Sequence, residues 1–418
     1  MKRIKIVGGH TLSGTINISG AKNSAVALIP AAILSDEQVE IDNIPDISDI
    51  AALEEILNYL NANVKRDGSK IIIDSSKIIN REVPEDISKK LRASYYFMSS
   101  LLGKYKFVEM YFPGGCSIGA RPIDQTLKGY RALGAKVIEE GNKFTISADK
   151  LIGNKIYLDM PSVGATVNIM LVAVKATGET IIENAAKEPE IVNLATFLNN
   201  MGAKITGAGT STINIEGVSY LGKAFTEVIP DRIEAGTYII AGALMGHDLK
   251  INNIIPAHVA SLIEKLSEMG CDMIIDDNSV TISKINTGKS INVKTLGYPG
   301  FPTDLQQPLS TLLTQLNGTS ILEETIYENR FQNVKYLVDM GASIIIENKK
   351  IYVTGPTDLV GKTVTATDLR AGACLVLAGL KAKGETIVEN IEHVLRGYEN
   401  IIGKLSNVGA EIELEEYN

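Results

Sequence analysis

Leu133-Gly134-Ala135-Lys136-Val137 reads as the end of a helix, a turn and the start of a strand. The pattern recurs as Met201-Gly202-Ala203-Lys204-Ile205, Met269-Gly270-Cys271, Met340-Gly341-Ala342 and Val408-Gly409-Ala410. Leu60-Asn61-Ala62-Asn63-Val64 is a degenerate first copy, with Asn in the glycine's place. Glycine and asparagine accept the left-handed turn that closes a helix. Counted from Gly134, the steps to the next four glycines are 68, 68, 71 and 68 residues. Six copies of about 70 residues therefore fill the chain, a period that signals repeat architecture.

The third copy shows the unit best. Residues 167–175 are small and apolar and predict a buried helix. A turn and strand follow in Gly178-Glu179-Thr180-Ile181-Ile182-Glu183-Asn184. Pro189 opens a second helix, as proline can at a first turn, and Ile191, Leu194, Ala195, Leu198 and Met201 keep helical spacing. Residues 204–206 and 212–216 then predict two strands around Gly207 and Gly209. Each unit is thus helix, strand, helix, strand, strand, and the fold class is α/β. Three units fill residues 22–229, and three fill 230–418. The opening strand, Ile4 to Val7, is expected to pair in the second globule, beside the last strand. That assigns 1–21 plus 230–418 to one domain, with two crossings near Lys22 and Pro230 and a cleft suited to closing on a ligand.

The first helices start at comparable places. Lys22, Arg92, Ser162 and Arg232 are each 70 apart, and Thr303-Asp304 and Asp368-Leu369-Arg370 open the fifth and sixth copies. Ser, Thr and Asp are ordinary N-caps. Cations there oppose the helix dipole, so a lysine and three arginines point to bound phosphate or carboxylate. One segment breaks the pattern: Pro113-Gly114-Gly115-Cys116-Ser117-Ile118-Gly119-Ala120-Arg121-Pro122-Ile123-Asp124. Its glycines and prolines forbid regular structure up to Pro122, and it carries a cysteine and an arginine.

Composition narrows the function classes. A hydrophobic fraction of 45% supports sizeable cores, and a net charge of −8 argues against nucleic acid as the main partner. Three cysteines make no disulfide framework and suit a reducing cytoplasm. The start, Met1-Lys2-Arg3-Ile4-Lys5, lacks an apolar core of signal-peptide length, and no apolar run approaches a membrane span. His10, His247, His258 and His393 have no metal-ligand spacing, so neither metal nor cofactor is expected. Cys271 and Cys374 read as structural, Glu139-Glu140 and residues 411–416 as solvated surface, and Gly8-Gly9 as too little for a dinucleotide loop.

Long blocks of the chain resemble the UDP-N-acetylglucosamine 1-carboxyvinyltransferase family of enolpyruvyl transferases. They include Ser19-Gly20-Ala21-Lys22-Asn23, Leu91-Arg92-Ala93-Ser94, the segment Gly114 to Asp124, Ser162-Val163-Gly164-Ala165-Thr166, Pro230-Asp231-Arg232-Ile233-Glu234-Ala235-Gly236-Thr237, Pro302-Thr303-Asp304, Glu328-Asn329-Arg330-Phe331, Thr367-Asp368-Leu369-Arg370 and Arg396-Gly397-Tyr398-Glu399. The resemblance implies an inside-out α/β barrel in each of two domains. It implies a cytoplasmic enzyme of cell-wall (peptidoglycan) precursor synthesis, and so of cell shape and division. That enzyme moves the enolpyruvyl group of phosphoenolpyruvate to the 3′-hydroxyl of UDP-N-acetylglucosamine by addition and elimination, releasing phosphate.

Roles follow from the resemblance residue by residue. Cys116 matches the loop cysteine tied to proton donation and to a 2-(S-cysteinyl)pyruvate adduct, and Asp304 the carboxylate that takes the hydroxyl proton. Lys22, Arg121 and Arg396 match the cations that hold phosphoenolpyruvate, and Asn23 a polar group on the intermediate. Arg92, the backbone of Arg121, Pro122, Ile123, Asp124 and Gln125, together with Ser162, Val163, Asp304 and Ile326, match contacts to the UDP-sugar. Asp231, Arg330, Asp368 and Arg370 match supporting charges. Met160 and Thr126 stand where many relatives carry lysine and histidine, on the nucleotide side. A free thiol has a pKa of about 8.5, lowered beside cations, so Arg121 favours a thiolate at Cys116, a good nucleophile but a poor acid. Two alternatives remain at this point: the shikimate-pathway enolpyruvyl transferase, which lacks the cysteine loop, and a non-catalytic UDP-sugar sensor.

Overall fold

The glycines that mark the repeats all sit where a side chain would be strained. In the computed structural model, which describes residues 2–112 and 123–416, Gly134, Gly202, Gly270, Gly341 and Gly409 have φ between 90° and 107°, and Asn61 has φ 66°. Each ends a second helix and turns the chain into a strand. The described residues group into two units, 20–112 with 123–229, and 2–19 with 230–416. The chain passes between them at Ser19/Gly20 and Ile229/Pro230.

In the unit of residues 20–229, the first helices are Lys22–Ala31, Tyr95–Tyr105 and Val163–Ala173. They are apolar on nearly every side and almost wholly buried, as expected of central helices. The second helices, Ser48–Tyr59, Asp124–Ala132 and Pro189–Asn200, each keep a polar outer face. Sheets lie outside the helices, and strands such as Glu179–Glu183 alternate between core and solvent. This is an inside-out arrangement, built as separate sheets rather than one closed ring of strands.

The repeat carries one element more than the sequence reading assigned. After each strand pair, a short strand crosses to the next sheet and adds to it in parallel. Lys155–Tyr157 joins Glu179–Glu183, Asn292–Lys294 joins Gly318–Glu323, and Thr363–Thr365 joins Glu385–Glu389. Ala224–Glu227 returns to Gln38–Asp42 and closes the first unit on itself. In the second repeat the added strand shrinks to a single bridge from Val83 to Met110.

The unit of residues 2–19 and 230–416 has the same plan. Its first helices are Arg232–Met245, Gln306–Leu313 and Leu369–Lys381. The sixth repeat lacks its own last strand. Lys2–Val7 fills that place, lying antiparallel between Glu385–Glu389 and Glu411–Glu416. Residues 411–416, expected as solvated surface, face basic partners: Lys2 meets Glu416, Arg3 meets Glu415 and Lys5 meets Glu413. Gly8 follows directly; a Cβ there would lie 2.1 Å from the Ala382 carbonyl, which explains the glycine by packing alone.

Candidate functional site

Lys22 is the first residue of the helix Lys22–Ala31, where no capping side chain precedes it. Its ammonium lies 2.7 Å from Asp49 Oδ2, with the lysine side chain 14% exposed and Asp49 3%. The ion pair crosses from the first helix of the repeat to the first turn of the second, and it aims a cation at a helix N-terminus without letting it swing free. Gly20, two residues earlier, allows the close approach this entry needs: a Cβ there would lie 1.7 Å from the Asn43 carbonyl. Asn23 follows on the same turn, half-buried.

The same unit sets out the other predicted groups at its helix starts. Arg92 opens the 3-10 turn Arg92–Ser94, with its guanidinium 5.7 Å from the centre of the Phe112 ring. Ser162 caps the helix Val163–Ala173, accepting from Ala165 N at 3.2 Å. Gly164 gives way to Tyr95, whose hydroxyl would lie 1.9 Å from a Cβ. Ile123 precedes the helix Asp124–Ala132, whose Gln125 exchanges hydrogen bonds with Asp159: Nε2 donates to Oδ2 at 2.8 Å, and Asp159 N donates back to Oε1 at 2.9 Å. Lys128 adds a third bond to Asp159 at 2.9 Å. Beside Asp159, Met160 is exposed. Thr126 is only 2% exposed. Cys116, Arg121 and Pro122, and with them the lid reading of the loop, lie outside the described residues.

The other unit gathers Asp304, Arg330 and Arg370. Asp304 lies on the turn Thr303–Leu305. Arg330 Nη2 donates to its Oδ1 at 2.7 Å, and Arg370 Nη2 donates to its Oδ2 at 3.0 Å. Both arginine side chains are at most 5% exposed, whereas Asp304 is 26% exposed. Two guanidiniums thus fix both oxygens of a carboxylate that is itself partly exposed. Burial works against the Arg370 charge, yet Asp304, Tyr398 and Asp231 push its pKa above the ordinary arginine value. Asp231 and Asp368 are helix caps. Asp231 accepts from Ile233 and Glu234 N, and Asp368 from Arg370 and Ala371 N. Arg396 follows the short helix Glu392–Leu395 and is half-buried. Tyr398, two residues on, is buried and bonds Thr237 at 2.9 Å.

A second ionic cluster in this unit holds the residue before the chain crosses over. Lys404 Nζ donates to Glu234 Oε1 and to Ser19 Oγ, both at 2.6 Å. Ser19 N donates to Glu234 Oε2 at 2.8 Å, and its hydroxyl donates to Glu399. Burial pushes the Glu234 carboxyl up to about 7, against the pull of Lys404 and with a further push from Asp231. Sequence reasoning passed over Asp49, Glu234 and Lys404. Glu234, an acid in the first turn of an apolar helix, was the visible signal; Asp49 looked like an ordinary first-turn acid.

Comparison with known proteins covers the whole chain. The family model described as EPSP synthase (3-phosphoshikimate 1-carboxyvinyltransferase) matches residues 6–405. A UDP-N-acetylglucosamine 1-carboxyvinyltransferase 2 from Listeria monocytogenes is 51% identical over 410 residues, 98% of this chain and 97% of the relative. One of the same description from Bacillus subtilis is 51% identical over 413 residues, 99% and 96% of the two chains. Among solved structures, the enolpyruvyl transferase NikO from Streptomyces tendae superposes with a TM-score of 0.91 at 27% identity, covering 100% of this chain and 99% of that one. An EPSP synthase from Acinetobacter baumannii gives 0.77 at 16% identity over 100% of both chains, a likeness of fold.

Proposed function

Since the chain belongs to the UDP-N-acetylglucosamine 1-carboxyvinyltransferases of the EPSP synthase family, we propose that it transfers the enolpyruvyl group of phosphoenolpyruvate to the 3′-hydroxyl of UDP-N-acetylglucosamine. The observation that carries this reading is Asp304, a carboxylate fixed by two buried arginines and still partly open. Such a group takes a proton from a hydroxyl placed against it.

The reaction runs in two halves. In addition, the sugar oxygen bonds to C2 of phosphoenolpyruvate as its proton passes to Asp304, and C3 receives a proton from Cys116. In elimination, C3 loses a proton, the double bond re-forms and the C2–O bond to phosphate breaks. Lys22, Arg121 and Arg396 hold the phosphate and carboxylate, and Asn23 bonds the intermediate. Asp49 supports the Lys22 role by anchoring its ammonium. Arg92, the backbone from Arg121 to Gln125, Ser162, Val163 and Ile326 take the UDP-sugar. The Ile326 amide already donates to Glu324 at 2.8 Å, so its ligand contact falls to the carbonyl or side chain. Asp231, Arg330, Asp368 and Arg370 hold this arrangement. Cys116 also forms the pyruvate adduct, as thiol or thiolate according to the state of its loop. The enzyme works in the cytoplasm on cell-wall precursors, which fits the lack, among the described residues, of any helix long and apolar enough to cross a membrane.

Phosphate release from phosphoenolpyruvate is the test, with UDP-N-acetylglucosamine and with shikimate 3-phosphate as acceptors. Release with the UDP-sugar alone supports the reading. Release with the shikimate compound, or none while UDP-sugar still binds, would replace it by one of the two alternatives. Cys116→Ser should abolish turnover and Cys116→Asp retain much of it. An alkylation-rate titration of Cys116 should shift when UDP-sugar is added; identical profiles would sink the two-state thiol.

A further inference from the structure

The repeats act as controls for one another: four share one residue after the first strand, the second carries Phe112 there, and the fifth an acid. The residue after the first strand of a repeat is Asn43, Asn184, Asn253 or Asn390, each with φ between 55° and 58°. Three of these amides donate to the carbonyl just past the incoming parallel strand: Asn43 to Val228, Asn184 to Leu158 and Asn253 to Ile18, at 2.7–2.8 Å. In the fifth repeat this residue is Glu324. It is 1% exposed, and it cannot donate as Asn does.

The local structure is rebuilt around that carboxylate. Thr295, the residue just past the incoming strand Asn292–Lys294, donates its hydroxyl to Glu324 Oε1 at 2.9 Å. The same oxygen accepts from the amides of Ile326 at 2.8 Å and Tyr327 at 3.3 Å. The extra methylene carries Oε2 to the Thr303 hydroxyl at 2.8 Å, a reach that asparagine lacks. Thr303 precedes Asp304 on the same turn, and the 326–327 loop leads to Arg330, which binds Asp304. A buried carboxylate satisfied by two hydroxyls and two amides is costly to disturb, since each donor would be left unpaired.

We propose that Glu324 is a positioning residue that ties the Asp304 turn to the Ile326 loop and so sets the distance between the proton acceptor and the sugar contact. The proposal rests on the function argued above. The acceptor side of the reaction depends on it, and the phosphoenolpyruvate cations do not. Glu324→Asn introduces the residue used by four other repeats and keeps a polar side chain, while the bond to Thr303 is lost. Expected are a rise of about tenfold in KM for UDP-N-acetylglucosamine and a fall of about tenfold in kcat, with KM for phosphoenolpyruvate within about twofold of wild type. Glu324→Gln keeps the length, and Thr303 can accept from its amide; it should stay within about threefold of wild type. Unchanged kinetics in Glu324→Asn, an equal rise in both KM values, or a Gln variant as impaired as the Asn variant would overturn the proposal.

A second readout separates this from the function itself. Hydrogen exchange of the amides of residues 324–331 should be slow in wild type and faster by an order of magnitude or more in Glu324→Asn. If wild type releases no phosphate with the UDP-sugar, the functional reading fails, and this exchange alone decides whether Glu324 fixes the loop. Unaltered exchange would overturn it.

Discussion

Glu234 gives the fold a pH dependence that can be worked out in advance. The group is buried, and its carboxyl rises from 4.5 to about 7 on folding because burial disfavours the charge more than Lys404 supports it. Between those values the folded chain holds a proton that the unfolded chain has released. Stability from this group is therefore complete below about 4.5 and is lost as pH climbs through about 7. A shift of that size corresponds to about 3 kcal/mol across the window. Glu234→Gln removes the titration. The variant is neutral at every pH, so it differs from protonated Glu234 only by a constant offset, and Lys404 keeps the Ser19 hydroxyl. The difference in unfolding free energy between the two proteins should thus move by about 3 kcal/mol in favour of Gln between pH 4.5 and pH 8. Urea unfolding followed by circular dichroism at half-unit steps measures it; the chain has no tryptophan to serve as a reporter. A difference that stays flat across the window would refute the reasoning, because Glu234 would then titrate in the fold as it does in the unfolded chain.

Three further predictions concern the site. Asp304→Asn should lower kcat by roughly 10²–10⁴, the usual contribution of a positioned base, while Asp304→Ala should also destabilise the chain by about 3 kcal/mol or more, since two buried guanidiniums lose their partner; kinetics and denaturant midpoints measure the two effects. Asp49→Asn should raise KM for phosphoenolpyruvate about tenfold through Lys22 and leave KM for the UDP-sugar near wild type, as steady-state assays varying each substrate would report. Gly164→Ala should cost about 1–3 kcal/mol by overpacking, and Tyr95→Phe should recover most of it, because the next atom of that ring lies 3.2 Å from the added Cβ; a thermal melt of the single and double variants decides.

The sequence made the repeat legible because its signal is local. A glycine forced into positive φ at the end of each second helix leaves a mark wherever it occurs. The pairing of residues 4–7 beside the last strand was readable too, since a lone strand needs a partner and the repeat count left a place for it. Other features left no such mark. The added parallel strands, such as Lys155–Tyr157 and Asn292–Lys294, run only three residues with one buried side chain each, too short to show a period. Charge partners were hidden because they are chosen by tertiary contact. The cations at the helix starts were read as waiting for an anionic ligand, yet Arg370 reaches back 66 positions to Asp304, and Lys22 meets Asp49. In each unit a carboxylate holds its cation in place, a partner chosen by tertiary contact that no local pattern announces. Glu324 was legible only in the alignment of repeats, as an acid in a column of four asparagines and Phe112.

The strand Lys2–Val7 has a consequence for the order of events in synthesis. Residues 20–229 carry every strand their unit requires among its described sheets, so that unit can form while the rest is still being made. The other unit cannot. Lys2 pairs with Glu416, 414 positions along the chain. At about 5–20 residues per second, its first strand waits about 20–80 seconds on the ribosome for the partner that covers its edge. During that time Ile4 and Ile6, both fully buried in the end, need protection from other chains. The charges that flank them, Lys2, Arg3 and Lys5, guard an exposed edge early and pair with glutamates late.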